Sequence, residues 1–138
     1  MNKQLDINDS IAYFALGINH KKNMRKFFKS FTYSFSGIAH AFRYEQNFRL
    51  HLLSLLLVTL AGWHFNIAAN EWLWIVTAAG LVILSELFNT AIEVLVDLVS
   101  PSAHPKAKIV KDVASAAVLV AAFVALIIGL IIFIPRLI

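Results

Sequence analysis

The sequence contains no cysteine, so the chain can form neither a disulfide framework nor a thiolate metal site. Charged residues are also scarce, at 14% of the 138 residues, while 59% are hydrophobic and the mean hydropathy is +0.73. A soluble domain of this length cannot bury so much apolar surface, which predicts an integral membrane protein that forms one compact unit. Residues 1–23 have no basic segment leading into a long apolar core, so no signal peptide is expected.

Three motifs that commonly mark nucleotide or zinc sites are missing as well. The sequence has no G-x-x-x-x-G-K-[ST] loop, no G-x-G-x-x-G turn and no H-E-x-x-H pair. These absences exclude the familiar phosphate loops and argue against zinc-dependent hydrolysis. The net charge of +4 does not indicate a nucleic-acid partner, because the basic residues flank apolar segments, as topology determinants do.

The sequence does contain three long apolar segments and an aromatic segment before them. Residues 1–24 are polar and mixed, and we expect an N-terminal extension there. Residues 25–44 place phenylalanines at helical spacing beside basic side chains, which favours an amphipathic helix in the headgroup layer over one packed on the bundle. Three transmembrane helices are predicted over 48–69, 72–99 and 113–134, since a span requires about 20 residues. Together with the helix over 25–44 they form an all-α integral membrane domain over 25–138.

Lysine and arginine residues predict the orientation of these segments. Eight of the twelve precede residue 50, three lie between residues 100 and 112, and none lies in the 64–71 connection. The tendency of basic loops to stay inside therefore places the N-terminus and the 100–112 loop in the cytoplasm. Lys106 and Lys108 are expected to act chiefly as such topology determinants.

One face of the second predicted span is acidic. Glu86, Asn89, Glu93 and Asp97 share that face at about 100° per residue. Acids are costly in hydrocarbon, so an intramembrane acid indicates a functional site. Hydrogen bonding between helices is the alternative role, and three acids on one face make it the weaker one. For Asp97 three roles are equally open, namely capping the helix end, pairing with a loop lysine and direct catalysis.

The acidic face extends from the cytoplasmic surface into the acyl region, because Glu86 and Asp97 lie about 16 Å apart along a helix. The 100–112 segment supplies partners at the cytoplasmic end of this face, and these are His104, Lys106, Lys108, Lys111 and Asp112. Carboxylates and lysines together suit a magnesium-nucleotide site. A further carboxylate can accept the proton of an attacking alcohol. Spacing leaves both Glu86 and Glu93 open as that base, and the deeper position favours Glu86.

The acidic segment resembles the signature of a known family. Glu86-Leu-Phe-Asn89-Thr-Ala-Ile-Glu93-Val-Leu-Val-Asp97 is similar to the signature of the prokaryotic diacylglycerol kinase family, which includes the undecaprenol kinases of Gram-positive bacteria. The stretch His104-Pro-Lys-Ala-Lys-Ile-Val-Lys111-Asp112-Val-Ala-Ser-Ala-Ala-Val-Leu119 resembles the loop and the entry to the third helix of the family. The resemblance extends upstream to Glu45-Gln-Asn47-Phe-Arg-Leu-His51 and covers about residues 25–135.

This resemblance implies a homotrimeric membrane kinase, with an interfacial helix and three spans in each protomer and active sites shared between neighbours. By family similarity Glu86 is the general base on the lipid hydroxyl and Asn89 orients the reacting groups. Glu45 and Glu93 would bind Mg²⁺. The residues implied at the ATP site are Lys26, Tyr33, Glu45, Glu93, His104, Lys111 and Asp112. Ser115 would touch the lipid, and for His51 both a lipid contact and a hydrogen bond within the bundle stay open.

We therefore expect an ATP- and magnesium-dependent lipid kinase in the bacterial cytoplasmic membrane. The stretches 47–51 and 104–108 look more like the undecaprenol kinase branch, so undecaprenol is the expected substrate and diacylglycerol, giving phosphatidic acid, is the alternative. A small cation- or proton-coupled transport subunit is the alternative from another class, since transporters also place acids on a bundle face. The basic segment beside the acids and the lack of helices broken by Gly or Pro count against transport.

Overall fold

A computed structural model of the chain describes the backbone of residues 20–138 and the side chains of residue 24 and residues 26–138. Residues 1–19, most of the expected N-terminal extension, lie outside the described residues. The described part forms four α-helices, which are α1 (His20–Tyr44), α2 (Gln46–His64), α3 (Ala69–Val99) and α4 (Pro105–Leu137). The all-α class expected from the sequence is thereby confirmed for residues 20–138.

The first of two compact units ends at Ala39, inside α1, and the second comprises His40–Ile138. Within the first unit α1 is rich in exposed aromatic rings. The ring of Phe27 packs edge-on against those of Phe28 and Phe31, with centroid distances of 5.8 and 5.2 Å. The ammonium of Lys29 lies 5.7 Å from the ring centroid of Tyr33. This part of α1 therefore exposes aromatic rings and lysines together.

Helix α1 ends at Tyr44, and Glu45 is the single residue between it and α2. Its backbone is extended, with φ −98° and ψ 116°, which interrupts the helical path. The guanidinium of Arg49 donates hydrogen bonds to the carbonyl oxygens of Phe42 and Arg43, at 3.2 and 3.0 Å. Arg49 thus satisfies carbonyl groups that the end of α1 leaves without helical partners.

Helices α2 and α3 are joined by a tight turn over residues 65–68. Asn66 has φ 48°, in the left-handed region that Asn tolerates better than most residues. Gly62 permits the close approach of α3, because a Cβ atom there would lie 2.7 Å from Cη2 of Trp72. Ile67 and Ile75 are buried beside this turn with Ile132 of α4. The turn, α3 and α4 therefore share a small apolar core.

An ion pair joins α3 and α4 close to the turn at 65–68. Arg136, in the last turn of α4, lies 2.6 Å from Glu71 Oε2, in the first turn of α3. The same carboxylate oxygen accepts a hydrogen bond from the Ala68 N–H at 2.7 Å. Since both ionic side chains are about three-quarters buried, the pair ties the end of α4 to the beginning of α3.

Within the described residues, α3 and α4 are the two helices long and apolar enough to cross a membrane. At about 1.5 Å per residue, both are longer than the roughly 30 Å hydrocarbon core of a bilayer. They pack on each other, and several of the residues buried on the two helices are small or branched, including Ala78, Val82, Ala114, Val118 and Ala121. Helix α2 has 19 residues and a polar first turn, and it is not among these two helices. Its predicted extension to residue 69 is replaced by the turn at 65–68.

Candidate active site

The candidate site lies on the acidic face of α3, and its most buried member is Glu86. Only 1% of Glu86 is exposed, and its Oε2 atom has no hydrogen-bond partner among the described residues. Asn89 Oδ1, one turn further along the helix, is buried and lacks a partner in the same part of the chain. Buried polar atoms without partners are costly and rare in proteins. Two such oxygens on one face indicate a place where a ligand completes the hydrogen bonding.

The helix itself orients the neighbouring side chains of this face. The Asn89 amide nitrogen donates to Glu93 Oε1 at 3.0 Å, four residues on. The Thr90 hydroxyl, also buried, donates to the Glu86 carbonyl oxygen at 3.0 Å. The first bond holds the Asn89 amide so that its oxygen is directed away from Glu93. The second occupies the Thr90 hydroxyl, which lies one turn from Glu86.

Glu45 brings a third carboxylate to the face from another element. It is the N-cap residue of α2, but its side chain makes no capping hydrogen bond. The carboxylates of Glu45 and Glu93 both act electrostatically on that of Glu86. Glu45, on another element, therefore lies near enough to Glu86 for their charges to interact, as does Glu93 on α3. Three like charges repel one another, so the arrangement favours binding of a cation.

Lys111 lies close to this group and is paired with Asp97. Lys111 Nζ lies 2.5 Å from Asp97 Oδ1, and the charge of Glu93 also acts on the lysine. Lys108 and Asp112 form a second ion pair at 2.5 Å, on the exposed surface of α4. Both pairs join residues that the sequence predicts to lie at the cytoplasmic end of the acidic face.

The predicted loop over 100–112 is shorter in the structure, because α4 begins at Pro105. His104 is the N-cap residue, and its Nδ1 atom accepts a hydrogen bond from the Lys106 N–H at 3.2 Å. Proline at the first position suits a helix start because its φ is already helical and no N–H is lost. Lys111 and Asp112 therefore stand on a rigid helix and not on a loop.

An apolar groove of about 530 Å³ runs between α2, α3 and α4. Its polar members are His51 and Ser54, both in the first half of α2. On α3 it includes Val82 and Ile83, which precede Glu86 by about one turn. The groove exists because small residues line it, and these are Ala78, Ala79, Ala122, Ala125 and Gly129. It was not predicted from the sequence, where the small residues are scattered over two helices.

The sequence profile of the prokaryotic diacylglycerol kinase family matches residues 32–133, which include Glu45 and the whole acidic face. The chain belongs to this family. Family membership makes the protein a membrane-bound lipid kinase, which confirms the enzyme class expected from the sequence.

Three curated members of the prokaryotic diacylglycerol kinase family illustrate the similarity. The undecaprenol kinase of Bacillus subtilis is 40% identical over 119 residues, which cover 86% of this chain and 97% of that protein. A diacylglycerol kinase of Synechocystis is 41% identical over 101 residues, covering 72% of this chain and 58% of that protein. The diacylglycerol kinase of Escherichia coli K12 is 30% identical over 109 residues, which cover 79% of this chain and 89% of that protein.

Some residues implied at the kinase site are not brought together within one unit. Lys26 and Tyr33 have exposed side chains on the part of α1 in the first unit, and Tyr33 faces Lys29 there. Ser115 is exposed on α4, one turn after Lys111. Their roles at the ATP and lipid sites stay predictions.

The oxygen ligands of the site suit a hard cation. Among residue 24 and residues 26–138, whose side chains the structure describes, no three His, Asp or Glu side chains form a complete metal site. Mg²⁺ does not require one, because it commonly binds one or two carboxylates and completes its coordination with phosphate oxygens and water. Glu45 and Glu93 are carboxylates of this kind, and the charges of both act on Glu86. The residues present therefore fit Mg²⁺ delivered together with a nucleotide.

Proposed function

We propose that this kinase transfers the γ-phosphate of ATP to the hydroxyl of undecaprenol, giving undecaprenyl phosphate and ADP. The observation behind this proposal is the buried Glu86 carboxylate, whose Oε2 atom has no partner in the described chain and lies one turn from an apolar groove. Similarity over 97% of an undecaprenol kinase favours that substrate. Diacylglycerol is the second candidate, because other relatives are named diacylglycerol kinases.

In the proposed mechanism Glu86 accepts the proton of the lipid hydroxyl. The oxygen attacks the γ-phosphorus in line, the bond from phosphorus to the bridging oxygen of ADP breaks, and the proton stays on Glu86. Asn89, held by Glu93, directs its free amide oxygen towards the reacting groups and orients them. Lys111 donates to the phosphate oxygens and offsets their charge.

Glu45 and Glu93 would hold Mg²⁺, which supplies charge neutralisation at the nucleotide phosphates when it is bound. This assignment gives the Glu45 side chain, which caps no helix, a ligand of opposite charge. It also explains how three glutamates can remain close together, since a bound cation offsets their repulsion. His104, Asp112, Lys26 and Tyr33 are proposed to complete the nucleotide site.

The apolar groove is proposed to receive the hydrocarbon chain of the lipid alcohol. Its end at Val82 and Ile83 lies one helical turn from Glu86, so a hydroxyl at Glu86 would lead into it. His51 and Ser54, its polar members, would lie near the headgroup of the substrate, and Ser115 would contact the lipid from α4. A volume of about 530 Å³ falls within the usual range of ligand pockets.

The proposed arrangement in the membrane has three spans formed by α2, α3 and α4, with α1 along the cytoplasmic interface. The N-terminus and the α3–α4 connection would face the cytoplasm of a bacterial cell, as the distribution of Lys and Arg predicts. The exposed aromatic rings and lysines of α1 suit the headgroup region. We further propose a homotrimer, in which exposed apolar side chains of α3 meet those of neighbouring protomers and the active sites are shared.

Phosphate transfer from labelled ATP in mixed micelles that contain Mg²⁺ and either undecaprenol or diacylglycerol tests this proposal. Product from undecaprenol at much higher kcat/KM supports the proposed substrate. Product from diacylglycerol alone would keep the mechanism and replace the substrate. No transfer to either lipid from protein that is folded and assembled would refute the proposed reaction.

A further inference from the structure

The ion pair between Asp97 and Lys111 differs from the other pair near the site. Lys108 and Asp112 are four residues apart on one helix, and their side chains are 76% and 59% exposed, so their pairing has little energetic effect. Asp97 and Lys111 are fourteen residues apart and join the last turns of α3 to the second turn of α4. The lysine in this pair is also better protected, at 35% exposure. This pair therefore constrains how two helices present their side chains.

A carboxylate at the position of Asp97 does not stabilise helix α3. Helix α3 ends at Val99, and its last turn has no basic residue. The carbonyl end of a helix is the negative end of its dipole, so an acid there is unfavourable. The N–H that follows the helix, from Ser100, bonds to the Val96 carbonyl oxygen and not to Asp97. Of the roles open for Asp97, pairing with a lysine is the one that the structure contains.

Lys111 is held on the same side as the active-site carboxylates. Asp97 lies four residues after Glu93, so the two acids are neighbours on one face of α3. The charge of Glu93 acts on Lys111 as well as that of Asp97. A lysine ammonium has three N–H donors, so Lys111 can keep its bond to Asp97 and still donate to phosphate oxygens. Without an anchor, its four-carbon side chain would lose more conformational entropy when it binds.

We propose that Asp97 is a positioning residue that holds the Lys111 ammonium beside Glu93 before the nucleotide binds. This inference rests on the proposed kinase function. The nucleotide phosphates then meet a donor that is already in place, which lowers the entropic cost of binding. Asp97 itself touches neither lipid nor phosphate in this role, and its effect on the reaction passes through Lys111.

The experiment compares Asp97→Asn with Asp97→Glu, which keeps the charge, and with Ser100→Ala, a change at the same helix end outside the site. We expect Asp97→Asn to raise the KM for ATP about fivefold, as the loss of a partly exposed ion pair implies, with little change in kcat. Asp97→Glu should recover most of the affinity, and Ser100→Ala should match the natural protein.

A second readout needs no turnover. Pairing with a carboxylate favours the protonated ammonium, which does not react with acylating reagents. Acylation of Lys111, followed by peptide mass spectrometry without nucleotide, should therefore be several-fold faster in Asp97→Asn than in the natural protein or in Asp97→Glu. Asp97→Ser replaces Asp97→Asn if the asparagine variant does not assemble.

Unchanged acylation of Lys111 together with an unchanged KM for ATP would overturn the inference. A fall in kcat at constant KM would also overturn it, because it would make Asp97 part of the chemical step. If the natural protein transfers no phosphate, the proposed function fails, whereas the acylation rates still decide whether Asp97 holds Lys111.

Discussion

Replacing Glu86 with glutamine separates its proposed chemical role from a structural one. The two side chains have nearly the same shape, so the change leaves no cavity at a position that is only 1% exposed. Glutamine cannot accept the proton of the lipid hydroxyl as a carboxylate does. General-base catalysis typically contributes about 10²–10⁴ in rate, or roughly 3–5 kcal/mol in activation free energy.

The same change should not destabilise the protein. Glu86 Oε2 makes no hydrogen bond within the described chain, so no bond to it is lost. The charges of Glu45 and Glu93 act on Glu86, and a neutral side chain removes that repulsion. We therefore expect kcat to fall about 10²–10⁴-fold while the KM for ATP and the thermal unfolding midpoint in detergent stay the same or improve.

Glu71→Gln is the matched control, because it makes the same chemical change in the first turn of α3, outside the acidic face. It removes the charge that binds Arg136, so it should lower the unfolding midpoint and leave kcat close to that of the natural protein. The reasoning would be refuted by a well-assembled Glu86→Gln protein with a kcat within tenfold of the natural one. A large loss of stability in Glu86→Gln would instead indicate a structural carboxylate.

Three further changes test the groove and the turn. A Cβ atom at Gly129 would have no neighbour within 4 Å, so Gly129→Leu should extend into the groove and raise the KM for undecaprenol about tenfold or more, but not the KM for a short-chain alcohol. Ala117→Leu, at an exposed position on the same helix outside the groove, is its control. Gly62→Ala would place Cβ 2.7 Å from the Trp72 ring and should cost about 1–3 kcal/mol in unfolding free energy, measured by denaturation in detergent. Asn66→Val should lower the unfolding free energy by about 1–2 kcal/mol or more, because residue 66 has a φ of 48°, whereas Asn66→Gly should lower it little. Equal unfolding midpoints for the two variants would contradict this account.

The helix boundaries show where hydropathy is an incomplete guide to structure. The predicted third span begins at residue 113, where the apolar run begins, but α4 begins at Pro105. Lysine is a good helix former, so the charged residues before the apolar run extend the helix without extending the span. The turn at 65–68 lies within the predicted 64–71 connection, but the predicted first span continued to residue 69. Asn66, a residue type that tolerates the left-handed region, was the available signal that the helix ends earlier.

The sequence by itself determined the helical class, the membrane character and the acidic face of α3. These properties depend on composition and on a period of 3.6 residues, which are local and can be counted along the chain. The same spacing put Glu86, Asn89 and Glu93 on one side, and the Asn89–Glu93 hydrogen bond of the structure follows from it.

Only the tertiary structure decided which residues meet across elements. The proximity of Glu45 to Glu86 depends on the extended residue between α1 and α2, and the partner of Asp97 depends on where α4 begins. The groove depends on how three helices pack, because small residues make space only where facing helices also leave it. Such contacts join residues far apart in the chain, and no local pattern specifies them.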